Sequence, residues 1–234
     1  MNPIEFQGLT KRYKRLVAVD SLTASIQKGR ITGFLGPNGS GKSTSLRCLL
    51  GLASPTAGTA LVNGMRYAEL DHPLSTIGAV LDNGGFNPAL TGLQNLKVIC
   101  TAASIPDARA EEFLQLVDLE SAMHRRTKGY SLGMKQRLSL AAALLGDPGI
   151  LILDEPTNGL DPIGIAWLRN FLRGLADSGT TILISSHQLA EMQHAIDDVL
   201  VIDKGTLIAD GTLAEVTGGQ SLEEAFFRLV GGAK

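Results

Sequence analysis

The chain has 234 residues, 44% of them hydrophobic, and a formal charge of -2. This length suits one large domain or one domain with subdomains, and the near-balanced charge gives no electrostatic footprint for a nucleic-acid partner. No run approaches the roughly 18 apolar residues of a membrane span, residues 1–6 lack the charged-then-apolar pattern of an export signal, and Cys48 and Cys100 read as buried reduced thiols in apolar helical patterns.

Along residues 4–31 apolar and polar positions alternate (Ile4, Phe6, Leu9, then Val17, Val19, Leu22, Ala24, Ile26), which predicts an antiparallel sheet continued at 59–64 after the turn at 54–58. Ile31 to Leu35 is a short β-prone strand. Leu46, Leu49 and Leu50 then recur at helical spacing, with Gly51 placed to stop the helix. Residues 77–81 form a further buried strand ending at Asp82. From 83 to 146 the period is helical: Thr91 and Gln94 form a capping box, 107–119 carries an amphipathic face, and Ser131 caps a helix running to Gly146. Residues 150–153 and 181–184 are wholly apolar, as parallel strands covered on both faces must be. Ile165 to Ala176 reads as a helix between them, and 199–202 with 206–209 as a hairpin. Thr212/Glu215 and Ser221/Glu224 are two more capping boxes, the second opening an amphipathic helix. The expected architecture is an α/β core with a small antiparallel β layer before it and an all-helical insertion.

The chemistry centres on Gly36-Pro37-Asn38-Gly39-Ser40-Gly41-Lys42-Ser43-Thr44, which fits G-x-x-x-x-G-K-[ST] between a strand and a helix. Glycines allow turns that a Cβ would forbid, so successive N–H groups can converge on an anion at a helix N-terminus. Lys42 would reach the outer phosphates of a nucleoside triphosphate, and the Ser43 hydroxyl would ligate Mg²⁺. Asp154-Glu155, at the end of an apolar strand, supplies a carboxylate for Mg²⁺ and, one residue on, a group able to orient water or take its proton.

With these motifs placed, the sequence resembles the nucleotide-binding subunit of an ABC transporter over nearly its whole length. The loop at 36–44, the acid pair at 154–155 and the segments near 131, 161 and 187 stand in that family's order. The resemblance implies a P-loop NTPase (RecA-like) fold. Its ATP-binding domain would span 1–217, with the helical subdomain about 84–146 and a short C-terminal helix and tail at 218–234. Tyr130-Ser131-Leu132-Gly133-Met134 occupies the place of the signature LSGGQ and keeps only the serine and the second glycine. The family implies that Ser131 and Gly133 contact the ATP held by another subunit, that Asp161 joins the two sites, that His187 reaches the γ-phosphate, and that Tyr13 stacks on adenine. It also implies Asp82 as a metal ligand where the family carries Gln. Asp82, followed by residues 84–88, is similar to the branch that exports antibiotics and bacteriocins. The implied activity is ATP hydrolysis, with ATP and Mg²⁺ bound in a head-to-tail homodimer or heterodimer. The implied partner is a separate transmembrane permease, docked near Gly84 to Ala103 with Phe86 and Leu90 as apolar contacts. The implied location is cytoplasmic, peripheral on the inner face of the cell membrane and without direct insertion. Two rival readings differ in class. A GTPase switch lacks its Asn-Lys-x-Asp segment here, and a soluble ABC-type ATPase would serve as a non-transport assembly or regulatory module.

Overall fold

The computed structural model of the chain describes residues 2–81 and 85–231. Strands β1 (Ile4–Tyr13) and β2 (Leu16–Ile26) pair antiparallel from Ile4↔Ile26 to Tyr13↔Leu16. Strand β3 (Ile31–Leu35) leads into α1 (Lys42–Leu49), and β4 (Ala57–Val62) returns to the free edge of β1. These give the expected three-stranded layer in the order β2-β1-β4.

The short α2 (Pro73–Thr76) precedes β5 (Ile77–Val80). Helices α3 (Gly92–Ala102), α4 (Ala108–Leu116) and α5 (Leu132–Leu144) follow as the helical insertion. The core resumes with β6 (Ile150–Asp154), α6 (Pro162–Asp177), β7 (Thr181–Ser186), α7 (Leu189–Met192), β8 (Asp198–Asp203) and β9 (Thr206–Thr212). Helices α8 (Leu213–Thr217) and α9 (Leu222–Gly231) close the described chain.

The second sheet has the order β5-β6-β7-β3-β8-β9, parallel except for its last pair. Its strands are apolar on both faces because both faces are covered. Alternation splits them between two cores. Leu151, Leu153, Ile182 and Ile184 join the helices, whereas Ile150, Ile152, Leu183 and Phe34 pack toward the antiparallel layer. Both cysteines are buried and free.

Two local features depart from the expectation. Helix α6 begins at Pro162 rather than Ile165, because the Asp161 carboxylate accepts a bond of 2.7 Å from Gly164 N–H and proline suits the first helical turn. Short helices α2 and α7 occupy stretches to which the sequence pattern assigns no element. Asp82, the implied metal ligand at the end of β5, lies outside the described residues.

Candidate active site

The phosphate-loop motif forms a turn between β3 and α1, and its glycines are required for distinct reasons. Gly39 has φ +80° and Gly41 φ +110°, left-handed conformations that L side chains rarely adopt. A Cβ on Gly41 would collide with the Ala18 carbonyl of β2, and one on Gly36 would collide with the Ile202 carbonyl of β8. The loop is therefore clamped between the two sheets.

Lys42 is 5% exposed. Its ammonium donates to the carbonyls of Gly36 (2.7 Å) and Pro37 (3.2 Å) and lies 3.6 Å from Glu155 Oε1. Burial pulls the Lys42 pKa below the usual lysine value, and Glu155 opposes that shift by favouring the charged form.

The acid pair is fixed by a neighbouring strand. Asp154 pairs with Ser185 across β6 and β7, and the Ser185 hydroxyl donates to the Asp154 carboxylate. The same hydroxyl accepts a 3.0 Å bond from Glu155 N–H. Glu155 has φ +49°, a left-handed residue that turns its side chain off the strand line toward Lys42 and His187. His187 N–H donates to Glu155 Oε2 at 3.3 Å, and its Nδ1 lies 2.7 Å from the same oxygen.

Of these groups Lys42 and Glu155 border a cavity of about 520 Å³, lined also by Tyr13 and by the loop from Asn38 to Thr44, while Asp154, Ser185 and His187 stand behind Glu155 and do not line it. Tyr13 is 46% exposed, with the Lys11 ammonium 4.8 Å from its ring centroid. Lys11 is held there by donating to the Ser54 carbonyl at 2.7 Å. The cavity also takes in Leu16, Ala18 and Lys204, none of which the motifs indicate. Nor do the motifs indicate Ser185, although the serine pair that ends an apolar strand is a visible signal.

Ser131, Gly133 and Asp161 stand apart from this cavity and close to one another. Ser131 Oγ caps α5 by accepting from Met134 N–H at 3.2 Å. Leu132 fills the space where a Cβ of Gly159 would stand, and Gly133 faces Leu160. One chain thus carries two separate surfaces, a phosphate cradle and a capped helix tip beside the 158–161 loop.

The residues present fit Mg²⁺ in one respect that can be checked. Among the described residues no group of three or more His, Cys, Asp or Glu could hold a metal alone. Two carboxylates, Glu155 and Asp154, act on the Lys42 charge, Glu155 being engaged by Lys42 and His187, which leaves the neighbouring Ser43 hydroxyl and the strand-end Asp154 as the oxygen donors for an ion. Such a partial oxygen set suits an ion that arrives with phosphate oxygens and keeps water.

Fold and site together define a P-loop ATPase cassette. Residues 19–158 match the family described as ABC transporter. The bacitracin transport ATP-binding protein BcrA of Enterococcus faecalis is 41% identical over 216 residues, covering 91% of this chain and 70% of that protein. The lantibiotic transport ATP-binding protein SrtF of Streptococcus pyogenes is 38% identical over 223 residues, 95% of each. The solved ATP-binding subunit of an ABC transporter superimposes with a TM-score of 0.87 at 27% identity, over 98% of this chain and all of that one. The cassette MJ0796, a dimer in a post-hydrolysis state with ADP and Pi, gives 0.80 at 25% identity over 90% and 98%. The chain belongs to the ABC transporter family and is one of its ATP-binding, ATP-hydrolysing subunits.

Proposed function

We propose that this subunit drives export of an antibiotic or bacteriocin-like peptide through a separate membrane partner. The observation that carries the reading is the separation of two half-sites in one chain: the Ser131/Gly133 tip lies outside the cavity that the cradle at 36–44 lines. A head-to-tail pair of chains brings each cradle to the other's tip, and two-fold symmetry completes both sites at once. The dimeric state of MJ0796 supports this arrangement, and the names of BcrA and SrtF support the cargo class. Among the described residues no helix is long and apolar enough to cross a membrane; in this reading a separate membrane partner forms the cargo path, with the subunit at the inner face of the membrane.

The mechanism follows from the groups at the cavity. Tyr13 stacks on adenine, and the amides of residues 39–42 bind the phosphates with Lys42, whose ammonium exchanges carbonyl partners for phosphate oxygens. Ser43 and Asp154 would hold Mg²⁺, which when bound neutralises charge on the phosphates; Asp82 is the third proposed ligand. Glu155 orients the attacking water and accepts its proton, while His187 and Lys42 stabilise charge on the phosphoryl group being transferred. Water and ATP thus become ADP and phosphate. Ser131 and Gly133 of the second chain close over the same phosphates, and Asp161 links the two sites.

The test is affinity capture with tagged Glu155→Gln protein and Mg-ATP from mild-detergent extracts of its native cells. A stoichiometric multi-span membrane protein is expected. Recovery of soluble proteins alone, from an extract that preserves other membrane complexes, would favour a non-transport ATPase.

A further inference from the structure

The hairpin between β8 and β9 turns at Lys204 and Gly205, with φ +48° and +85°. This pair of left-handed residues is the geometry that Asn-Gly adopts most readily, and a lysine in its first position is strained where asparagine or glycine is not. The turn is also held rigidly. Gly205 N–H donates to the Ser40 carbonyl of the phosphate loop at 2.9 Å, and Gly205 O accepts from Asp20 N–H of β2 at 2.8 Å. A Cβ on Gly205 would stand 3.2 Å from the Ala18 carbonyl. Loop, strand and turn therefore meet at one junction, and Lys204 projects from it as part of the cavity lining. Its side chain is exposed, and among the described residues no carboxylate pairs with it.

Among the described non-glycine residues with positive φ, only Glu155 and Lys204 line this cavity, so the backbone strain that coincides with the anion cradle falls on one acid and one unpaired cation. We infer that Lys204 is a second nucleotide-binding cation, reaching the phosphate chain near its ribose end. Lys42 approaches from the Glu155 side of the cavity. The Lys204 turn instead abuts Ser40 and Ala18 of β2, the strand whose Leu16 pairs with Tyr13. A phosphate at the ribose end is common to ATP and ADP, so the contact is expected to serve both nucleotides alike. The inference rests on the nucleotide reading above.

The experiment is calorimetric titration of ATP and of ADP in EDTA, which prevents turnover, into wild-type, Lys204→Asn, Lys204→Arg and Lys28→Ala protein. Asparagine relieves the turn and removes the charge. Lys204→Asn should therefore raise the melting temperature while weakening ATP and ADP by a similar factor of about ten. Lys204→Arg should bind within about threefold of wild type, since it keeps the charge. Lys28→Ala, which removes a cation outside the cavity, should bind as wild type. ATP binding by Lys204→Asn within twofold of wild type would overturn the inference, as would an equal loss in Lys204→Arg or Lys28→Ala. A loss confined to ATP would overturn the ribose-end assignment. Wild-type protein that binds neither nucleotide in EDTA, and does not bind ADP with Mg²⁺ either, would overturn the nucleotide reading itself.

Discussion

His187 Nδ1 and Lys42 Nζ approach opposite oxygens of one carboxylate, Glu155, at 2.7 and 3.6 Å. A single acid thus joins the phosphate loop to the end of β7, and its position depends on both. Glu155→Gln keeps the shape but loses the proposed proton acceptor. Turnover should fall by about 10²- to 10⁴-fold while ATP still binds, giving an ATP-dependent dimer on gel filtration. Lys42→Ala should instead lose ATP affinity. Phosphate release at the wild-type rate from Glu155→Gln would remove Glu155 from the mechanism.

Leu132 lies in the space beside Gly159, whose φ of +72° already disfavours a side chain. Gly159→Ala should destabilise the fold by roughly 1–2 kcal/mol, part from backbone strain and part from collision with Leu132. In a Leu132→Ala background only the backbone part should remain. A double-mutant cycle in urea should therefore give a coupling of at least about 0.5 kcal/mol, and strict additivity would mean that the two residues do not touch.

Trp167 of α6 ties the core to the helical insertion. Its Nε1 donates to Asp118 Oδ2 at 2.7 Å, Arg137 lies 3.9 Å from its ring centroid, and Arg137 bonds the same Asp118 oxygen at 2.9 Å. Trp167→Phe keeps a ring for Arg137 but removes the N–H, at a cost of about 1 kcal/mol. Trp167→Ala loses the ring stacked on Phe171 as well and should cost about 2–3 kcal/mol. Urea unfolding followed by circular dichroism would order the two variants.

Glu215 and Glu224 close the capping boxes of the last two helices. The Thr212 hydroxyl and amide hold the Glu215 carboxyl below its ordinary value of 4.5, and the Ser221 amide and hydroxyl do the same for Glu224. A depressed folded-state pKa contributes stability that is fully present above 4.5 and is lost as pH falls through the lower folded values. The Glu215→Gln, Glu224→Gln double variant keeps acceptors at both caps but cannot titrate. Its stability should fall less steeply than wild type as pH drops from about 5 to 3, measured by thermal melts across that range. Identical pH profiles would show that the caps do not contribute through ionisation.

Much of this molecule was legible because its signals are local. The phosphate loop, the apolar strands and the capping boxes at Thr91, Thr212 and Ser221 each depend on neighbours within a few residues, so period and turn chemistry suffice to place them. The acid pair at 154–155 was visible for the same reason: a wholly apolar strand that ends in two carboxylates has few other uses.

What the chain order left open concerned residues far apart in sequence. Nothing near Glu155 announces Ser185, which lies one strand over and sets the backbone of the acid pair. Lys204 enters the cavity only because β8 lies beside β3 and its turn is pinned to Ser40. The start of α6 at Pro162, with Asp161 as its cap, was locally encoded: an Asp-Pro pair is itself a helix-start signal. The sequence by itself determined the elements and the phosphate chemistry, through periodicity and turn residues. Only the tertiary structure decided which distant side chains share one cavity, because strand order and close backbone packing at Ala18, Gly41 and Gly205 set those distances.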